Sequence, residues 1–374
     1  MHEEFNGRAG IAQRLLQPYR ISVYDLIASK CRGGMSVFAS RFDQHNIPLT
    51  KLDLSIAKFF PAKNNYFFDG KFDLCWQAGL QKWIKTWKPD IVIVEANPRN
   101  LSTFPMIHWL HKHRCRVIGH GLGVMPLTSG LEKLRGFGRK GLISLLDGVF
   151  AYSSVAAEQY HALGMPTDRI FVAHNATAAK PTKQPPKRPP YFTQRPALLF
   201  VGTLIPRKRI DLLLKAYTQI QATPKPILQI VGDGPSKREA QDLADSLKVD
   251  CLFLGDLRGP ELKQVFEAAD LFVLPGTGGL AIQEAMAHAL PVIASKADGT
   301  EADLVRPENG WLIEPGNISA LAKSIDDALS NPPRLRKKGA ASYQIVSSEI
   351  NIESMSATFV RGMDIIALKP LRRN

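Results

Sequence analysis

A proline-dense basic tract, KPTKQPPKRPPYFTQRP from Lys180 to Pro196, divides the 374-residue chain into two stretches. Each stretch alternates short apolar runs with amphipathic segments. That alternation is the pattern of βαβ units, whose strands pair in parallel and whose helices cover both faces of the sheet. Strands buried on both faces read as continuous Ile/Val/Leu runs. A chain of this length exceeds one ordinary core and suits two domains of about 150–200 residues. The expected layout is an N-terminal domain over 1–180, a stiff linker over 181–196 and a C-terminal domain over 197–335. A helical segment over 336–374 is drawn as packing back on the first domain.

In the first half, IVIVEA (91–96), CRVIGHG (115–121), DGVFAYS (147–153) and RIFVAHN (169–175) are expected strands. STFPMIHWLHKH (102–113) and SVAAEQYHALG are the helices between them, and GIAQRLL stands as the candidate first strand before a helix near 18–29. In the second half ALLFVG (197–202), ILQIVG (227–232), CLFLG (251–255), LFVLPG (271–276), PVIAS (291–295) and NGWLIEP (309–315) are expected strands. Apolar residues at 210, 213, 214 and 217 mark a helix over 210–220. Further helices are expected from GGL through Ala289, from Ile318 to Leu329 and over roughly 335–367. Both halves read as doubly wound α/β sheets, in which ligands bind at the carboxyl ends of the strands.

Charge is unevenly spread. Residues 1–189 hold 26 Lys+Arg against 13 Asp+Glu, whereas residues 190–374 hold 22 against 21. The surplus on the first half suits an anionic partner, such as a lipid headgroup surface or a phosphorylated acceptor. No helix-turn-helix, zinc-finger or RNP-type pattern accompanies it, so nucleic acid is not an expected partner. The four cysteines are widely spaced with no CxxC pair, which speaks against a disulfide framework or structural zinc. The stretch MHEEFNGRAGIAQ lacks a signal-peptide layout, and no apolar run nears the roughly 20 residues of a membrane span. The expected location is cytoplasmic, with peripheral contact at the inner membrane surface.

The residues that carry chemistry cluster in the second half. Gly278-Gly279-Leu280 forms a glycine-rich turn between an expected strand and helix, and the free amides at such a helix start favour a diphosphate. Glu284 follows Gly279 by five residues, about 7–8 Å along the axis, a reach that suits ribose hydroxyls. Lys208 lies between a strand and a helix, where its ammonium would neutralise a departing diphosphate, and Arg207 or Arg209 adds charge. VGDGP (231–235) reads mainly as a structural strand-end turn. In the first half, His120 ends a strand inside GHGLG and Arg20 stands at the first βα connection, facing an anionic acceptor. The histidines of HWLHKH do not share one helical face, so no metal site is expected there.

Four segments in order, VGTLIPRKRID (201–211), VGDGP (231–235), FLGDLRGPEL (253–262) and LPGTGGLAIQEAMAHALPVIAS (274–295), resemble the donor-binding domain of retaining glycosyltransferases of family GT4. QPYRISVYDLIA, VIGHGLG and RIFVAHNA resemble that family's acceptor domain more loosely. The resemblance implies the GT-B architecture, two Rossmann-like domains facing across a cleft. It places Gly202, Thr203, Leu257, Gly278, Gly279, Leu280 and Glu284 around the donor, with Lys208, Arg207 and His120 at the chemistry and Arg20 on the acceptor side. The family's usual arginine after the strand glycine is Thr203 here, and its sugar-contacting glutamate, eight residues before Glu284, is Gly276. The expected function is sugar transfer, with retention, from a nucleotide diphosphate sugar to a glycan or lipid-linked acceptor in cell-envelope polysaccharide synthesis, with no cofactor and no metal. A nucleotide-sugar epimerase and a non-catalytic sugar-nucleotide-binding relative are the alternatives.

Overall fold

The computed structural model describes residues 4–42, 53–67, 74–124 and 132–372. The chain forms two compact units, Met1–His174 with Ile352–Asn374, and Asn175–Asn351.

The first unit is built on β1 (Ala9–Leu15), β2 (Met35–Ser40), β3 (Lys58–Pro61), β6 (Ile91–Glu95), β7 (Arg116–Gly121), β8 (Gly148–Ala151) and β9 (Ile170–Val172). These seven strands run parallel in the order β3-β2-β1-β6-β7-β8-β9. A separate antiparallel pair, β4 (Lys63–Phe67) and β5 (Leu74–Ala78), stands beside this sheet. Ile91, Val92 and Ile93 of β6 are fully buried, as the Ile/Val run requires. Chain order reverses between β1 and β6, and that switch point opens the carboxyl edge to a ligand.

The second unit carries β10 (Ala197–Val201), β11 (Ile227–Val231), β12 (Cys251–Gly255), β13 (Leu271–Leu274), β14 (Val292–Ser295) and β15 (Gly310–Ile313). Its parallel order is β12-β11-β10-β13-β14-β15, with the reversal between β10 and β13. Leu198, Leu199, Phe200, Phe272 and Val273 form the centre of its core.

The proline-dense tract is pinned to the second unit. The Arg188 guanidinium donates to the carbonyls of Phe266, Ala269, His288 and Ala289 at 2.9–3.1 Å, and the Tyr343 hydroxyl donates to the Lys183 carbonyl. The C-terminal segment, read from sequence as one helical stretch, is two helices. Pro332–Ser348 belongs to the second unit, and Ile352–Leu368 packs in the first, where Phe359 stacks on Phe150 at 4.2 Å. Among the described residues, no helix is long and apolar enough to cross a membrane.

Candidate active site

At the switch point of the second unit, β10 ends at Val201 and Gly202 leads into a loop that closes as a 3-10 turn, Pro206–Lys208. The VGDGP turn buttresses this loop, Leu204 donating to the Asp233 carbonyl at 2.8 Å and accepting from the Ser236 amide at 2.9 Å. Lys208 is half-buried, with its side chain laid against two glycines. A β-carbon at Gly202 would lie 3.6 Å from Lys208 Nζ, and one at Gly278 only 2.6 Å from it. Burial lowers the Lys208 pKa, the Arg207 charge pushes the same way, and Asp298 opposes both. Arg207 and Thr203 are exposed beside it. Arg209 is engaged elsewhere, forming a two-pronged pair with Asp211 at 3.1 Å.

The turn after β13 is fitted to this loop. The Thr277 amide donates to the Arg207 carbonyl at 3.1 Å, and a β-carbon at Gly276 would lie 2.3 Å from that oxygen and 2.5 Å from the Lys208 carbonyl carbon. The residue type at 276 is therefore dictated by backbone contact. Gly278, at φ 156°, caps the helix Gly279–Ala287. The first intrahelical bonds are donated by Ala281 and Ile282 to the Gly278 carbonyl, so among the described residues the Gly279 and Leu280 amides stay open at the positive end of the helix. Glu284, half-buried on the same helix, has no hydrogen-bond or ion-pair partner among the described residues, and burial raises its pKa. Leu257 packs half-buried against the core at the end of β12.

Several contributors were not found in the sequence. The loop after β14 brings Thr300 against Gly279 and Asp298 near Lys208. The Glu301 carboxylate holds this loop by accepting from the amides of Ala297 (2.7 Å) and Gly299 (3.1 Å). The signal was the run ADGTE directly after a buried strand. Gln283, fully buried, accepts from the amides of Thr177 (2.7 Å) and Ala178 (2.9 Å) and donates to the Ile350 carbonyl (2.8 Å).

In the first unit, His120 ends β7 and is 6% exposed. Its Nδ1 lies 2.5 Å from the Tyr152 hydroxyl, just past β8, and its Nε2 is buried with no hydrogen-bond partner among the described residues. Burial, then the Arg20 charge, lowers the His120 pKa to about 3, and burial lifts the Tyr152 phenol to about 12. The imidazole is thus neutral and the phenol protonated. One hydrogen bond joins Nδ1 and the Tyr152 hydroxyl, its direction set by the imidazole tautomer; in the tautomer where the hydroxyl donates, the Nε2 hydrogen meets no acceptor among the described residues. Arg20, expected to be open to an anionic acceptor, is 3% exposed. Its guanidinium lies over the rings of Tyr19 (5.2 Å) and Tyr152 (5.1 Å) and 3.6 Å from Met355 Sδ. Glu95, ending β6, pairs with Arg14 at 3.2 Å. His111 of the HWLHKH segment is tied to Asp147 at 3.0 Å, and no metal-holding group of three or more His, Cys, Asp or Glu occurs among the described residues.

The depressed His120 pKa sets a sign for acid stability. Between about 6.5 and about 3 the unfolded chain binds a proton that the folded one refuses, so stability falls as pH is lowered through that window. The contribution is at most ~1.4 kcal/mol per pH unit. His120→Asn is expected to flatten the fall of Tm across this range relative to the parent, as followed by calorimetry.

Residues 183–344 match the family described as Glycosyl transferases group 1. A GDP-mannose-dependent monoacylated alpha-(1-6)-phosphatidylinositol monomannoside mannosyltransferase of Corynebacterium glutamicum is 32% identical over 171 residues, 43% of this chain and 45% of that protein. The chain spans about half or less of the length of the curated relatives it matches first. Among solved structures, the lipopolysaccharide outer core galactosyltransferase WaaB aligns with a TM-score of 0.69 and 18% identity, covering 95% of this chain and 99% of its own. Anabaena Alr3699/HepE in complex with UDP-glucose aligns with a TM-score of 0.66 and 17% identity, covering 94% and 97%. These likenesses establish a GT-B-like fold of two parallel sheets.

Proposed function

From the match of residues 183–344 to the glycosyl transferases group 1 family, we propose that this chain transfers a hexosyl unit from a nucleotide diphosphate sugar to an anionic lipid-linked or glycan acceptor, with retention of configuration. One observation carries the reading: the Lys208 ammonium is seated against Gly202 and Gly278 beside the open amides of Gly279 and Leu280. A diphosphate at this switch point meets a cation and a helix N-terminus together, which is where charge grows as the sugar–phosphate bond breaks.

In this mechanism Glu284 accepts the ribose hydroxyls, and its lack of any other partner among the described residues supports that role. Lys208, assisted by Arg207, neutralises the departing diphosphate as the bond from the anomeric carbon to phosphate oxygen breaks. The acceptor hydroxyl attacks from the leaving-group face and its proton passes to the departing phosphate oxygen. Arg209, held by Asp211, takes no part. In the first unit, the buried His120 imidazole is the residue proposed to meet a ligand hydroxyl or phosphate. The named activity of the Corynebacterium relative, mannosyl transfer to a phosphatidylinositol mannoside, supports a lipid-linked acceptor. The basic surplus of the first half supports peripheral contact with an anionic membrane face in cell-envelope polysaccharide synthesis.

A thermal-shift panel of UDP-, GDP-, ADP- and dTDP-sugars tests the reading. The matched donor at a hundred times its Kd raises stability by about 2.7 kcal/mol. Glu284→Ala is expected to abolish that shift. With the parent protein, donor affinity declines as pH falls through the raised Glu284 pKa, because the protonated carboxyl accepts from hydroxyls less well. A Glu284→Ala protein that responds as strongly as the parent removes the ribose from this position. A second reading, a donor-binding relative without transfer activity, draws on Gly276 and Thr203. It predicts an intact shift with no transferred or hydrolysed sugar.

A further inference from the structure

A cavity of about 420 Å³ lies in the first unit between β5, the helix Leu80–Trp87 and the helix Thr103–Lys112. Trp76, Leu80, Ile84, Met106 and Trp109 supply its large apolar and aromatic walls. Its polar members have their hydrogen-bonding capacity committed to the protein or turned to water. Gln77 donates from Nε2 to the Gln13 carbonyl (3.0 Å) and to Asn64 (3.1 Å), and accepts on Oε1 from Asn100 (3.0 Å). The Ser102 hydroxyl accepts from the Gln77 amide and donates to Asn100. Gln81 sits exposed at the rim. With no buried side-chain donor or acceptor left over among the described residues lining it, the cavity offers its occupant apolar surface and aromatic faces. That excludes a sugar ring as the natural fit, because its hydroxyls would be buried unpaired.

The surroundings narrow the occupant further. From Gly79 to Lys88 the chain carries Lys82, Lys85 and Lys88, and from Ser102 to Arg116 it carries Lys112, Arg114 and Arg116, with no Asp or Glu in either stretch. Leu80, Trp83 and Ile84 are buried while Lys82 and Lys85 are exposed, so the first helix turns an apolar side inward and a cationic side outward. Trp76, 44% exposed, stands at the mouth, the placement tryptophan takes where hydrocarbon meets water. Gln77 also ties the cavity floor to the carboxyl end of β1, the switch point of this unit. We infer that the cavity takes a hydrocarbon chain of an anionic lipid, its headgroup phosphate held by the flanking lysines. That such a lipid is the acceptor rests on the transferase reading; chain binding itself does not.

The test uses the full-length protein and vesicles of phosphatidylglycerol with dibrominated acyl chains, with unbrominated vesicles as reference, and follows tryptophan emission. Bromine is expected to quench emission, and most of the quenching should vanish in the double variant Trp76→Phe, Trp109→Phe. Trp76→Ala, at an exposed site that leaves the core intact, should weaken partitioning about tenfold. Brominated phosphatidylcholine should bind more weakly than phosphatidylglycerol, and inorganic phosphate should leave emission unchanged. Quenching that persists undiminished in the double variant puts the chain elsewhere and overturns the inference. So does vesicle binding that Trp76→Ala leaves untouched, or a dimer, seen by sedimentation without lipid, that Trp76→Ala dissolves. The nucleotide-sugar thermal shift is measured on the same samples. An intact shift without lipid quenching sinks the cavity assignment alone, whereas quenching without any shift leaves the cavity standing and sinks the transferase reading.

Discussion

Replacing Lys208 by alanine is expected to lower the single-turnover rate of the proposed sugar transfer by about a hundred- to a thousandfold at saturating donor. The magnitude follows from place and timing. The Lys208 ammonium is partly withdrawn from water beside the turn where the diphosphate would lie, and its partner's charge is largest in the transition state. Ground-state donor affinity should change far less, because the open amides of Gly279 and Leu280 still hold the phosphates. Lys208→Arg is not expected to rescue. A β-carbon at Gly278 would already meet Nζ at 2.6 Å, so the niche suits a slender ammonium and not a planar guanidinium. Transfer within twofold of the parent in Lys208→Ala would remove this residue from the chemistry.

Restoring glutamate at position 276 should damage the protein rather than improve it. Any β-carbon there collides with the Arg207 carbonyl oxygen at 2.3 Å and with Lys208 backbone atoms at 2.5–2.6 Å, and backbone does not step aside as a flexible side chain does. Gly276→Glu is expected to push the Pro206–Lys208 turn away from the end of β13, break the bond from Thr277 to Arg207 and carry Lys208 out of register. The cost should be ~1–3 kcal/mol of stability, seen as a lower Tm, together with loss of the donor-induced shift. Gly276→Ala should do nearly the same, because the obstacle is the β-carbon and not the carboxylate. A neutral Gly276→Ala variant would contradict the contact.

Much of this architecture was legible in the chain because central parallel strands announce themselves as Ile/Val/Leu runs; IVIVEA, ALLFVG and LFVLPG fall where β6, β10 and β13 do. The central strand β1 was faint for a physical reason. Its AGIA start uses small residues because a β-carbon at Gly10 would stand 2.8 Å from the Trp83 indole, a neighbour 73 positions away that local pattern does not reveal. The β4–β5 pair, with Asn64 and Asn65 in the middle of one strand, carries no strong apolar alternation. The last helices were joined because amphipathic pattern runs on both sides of Ile350-Asn351. Asn351, buried and donating to the Val346 carbonyl at 2.8 Å, interrupts them. In the candidate site, the glycine turn, Lys208 and Glu284 could be proposed from sequence because turns and charges are local signals. Tyr152 and Gln283 could not. The pairing of His120 with Phe150 across β7 and β8 fixes where Tyr152 lands, and the Gln283 partners arrive from more than 60 residues away on either side.

The helix Ile352–Leu368 belongs to the first unit although the whole second unit lies between it and the rest of that unit's chain. During synthesis the second unit has all its strands outside the ribosome while the first still lacks the segment that covers Phe150. Vectorial folding therefore favours completing the later-encoded unit first. A chain stopped just after Asn351 would lack the helix that covers Phe150 and leave an apolar wound on the earliest-made half, a lesion that quality-control proteases would read as an unfinished protein.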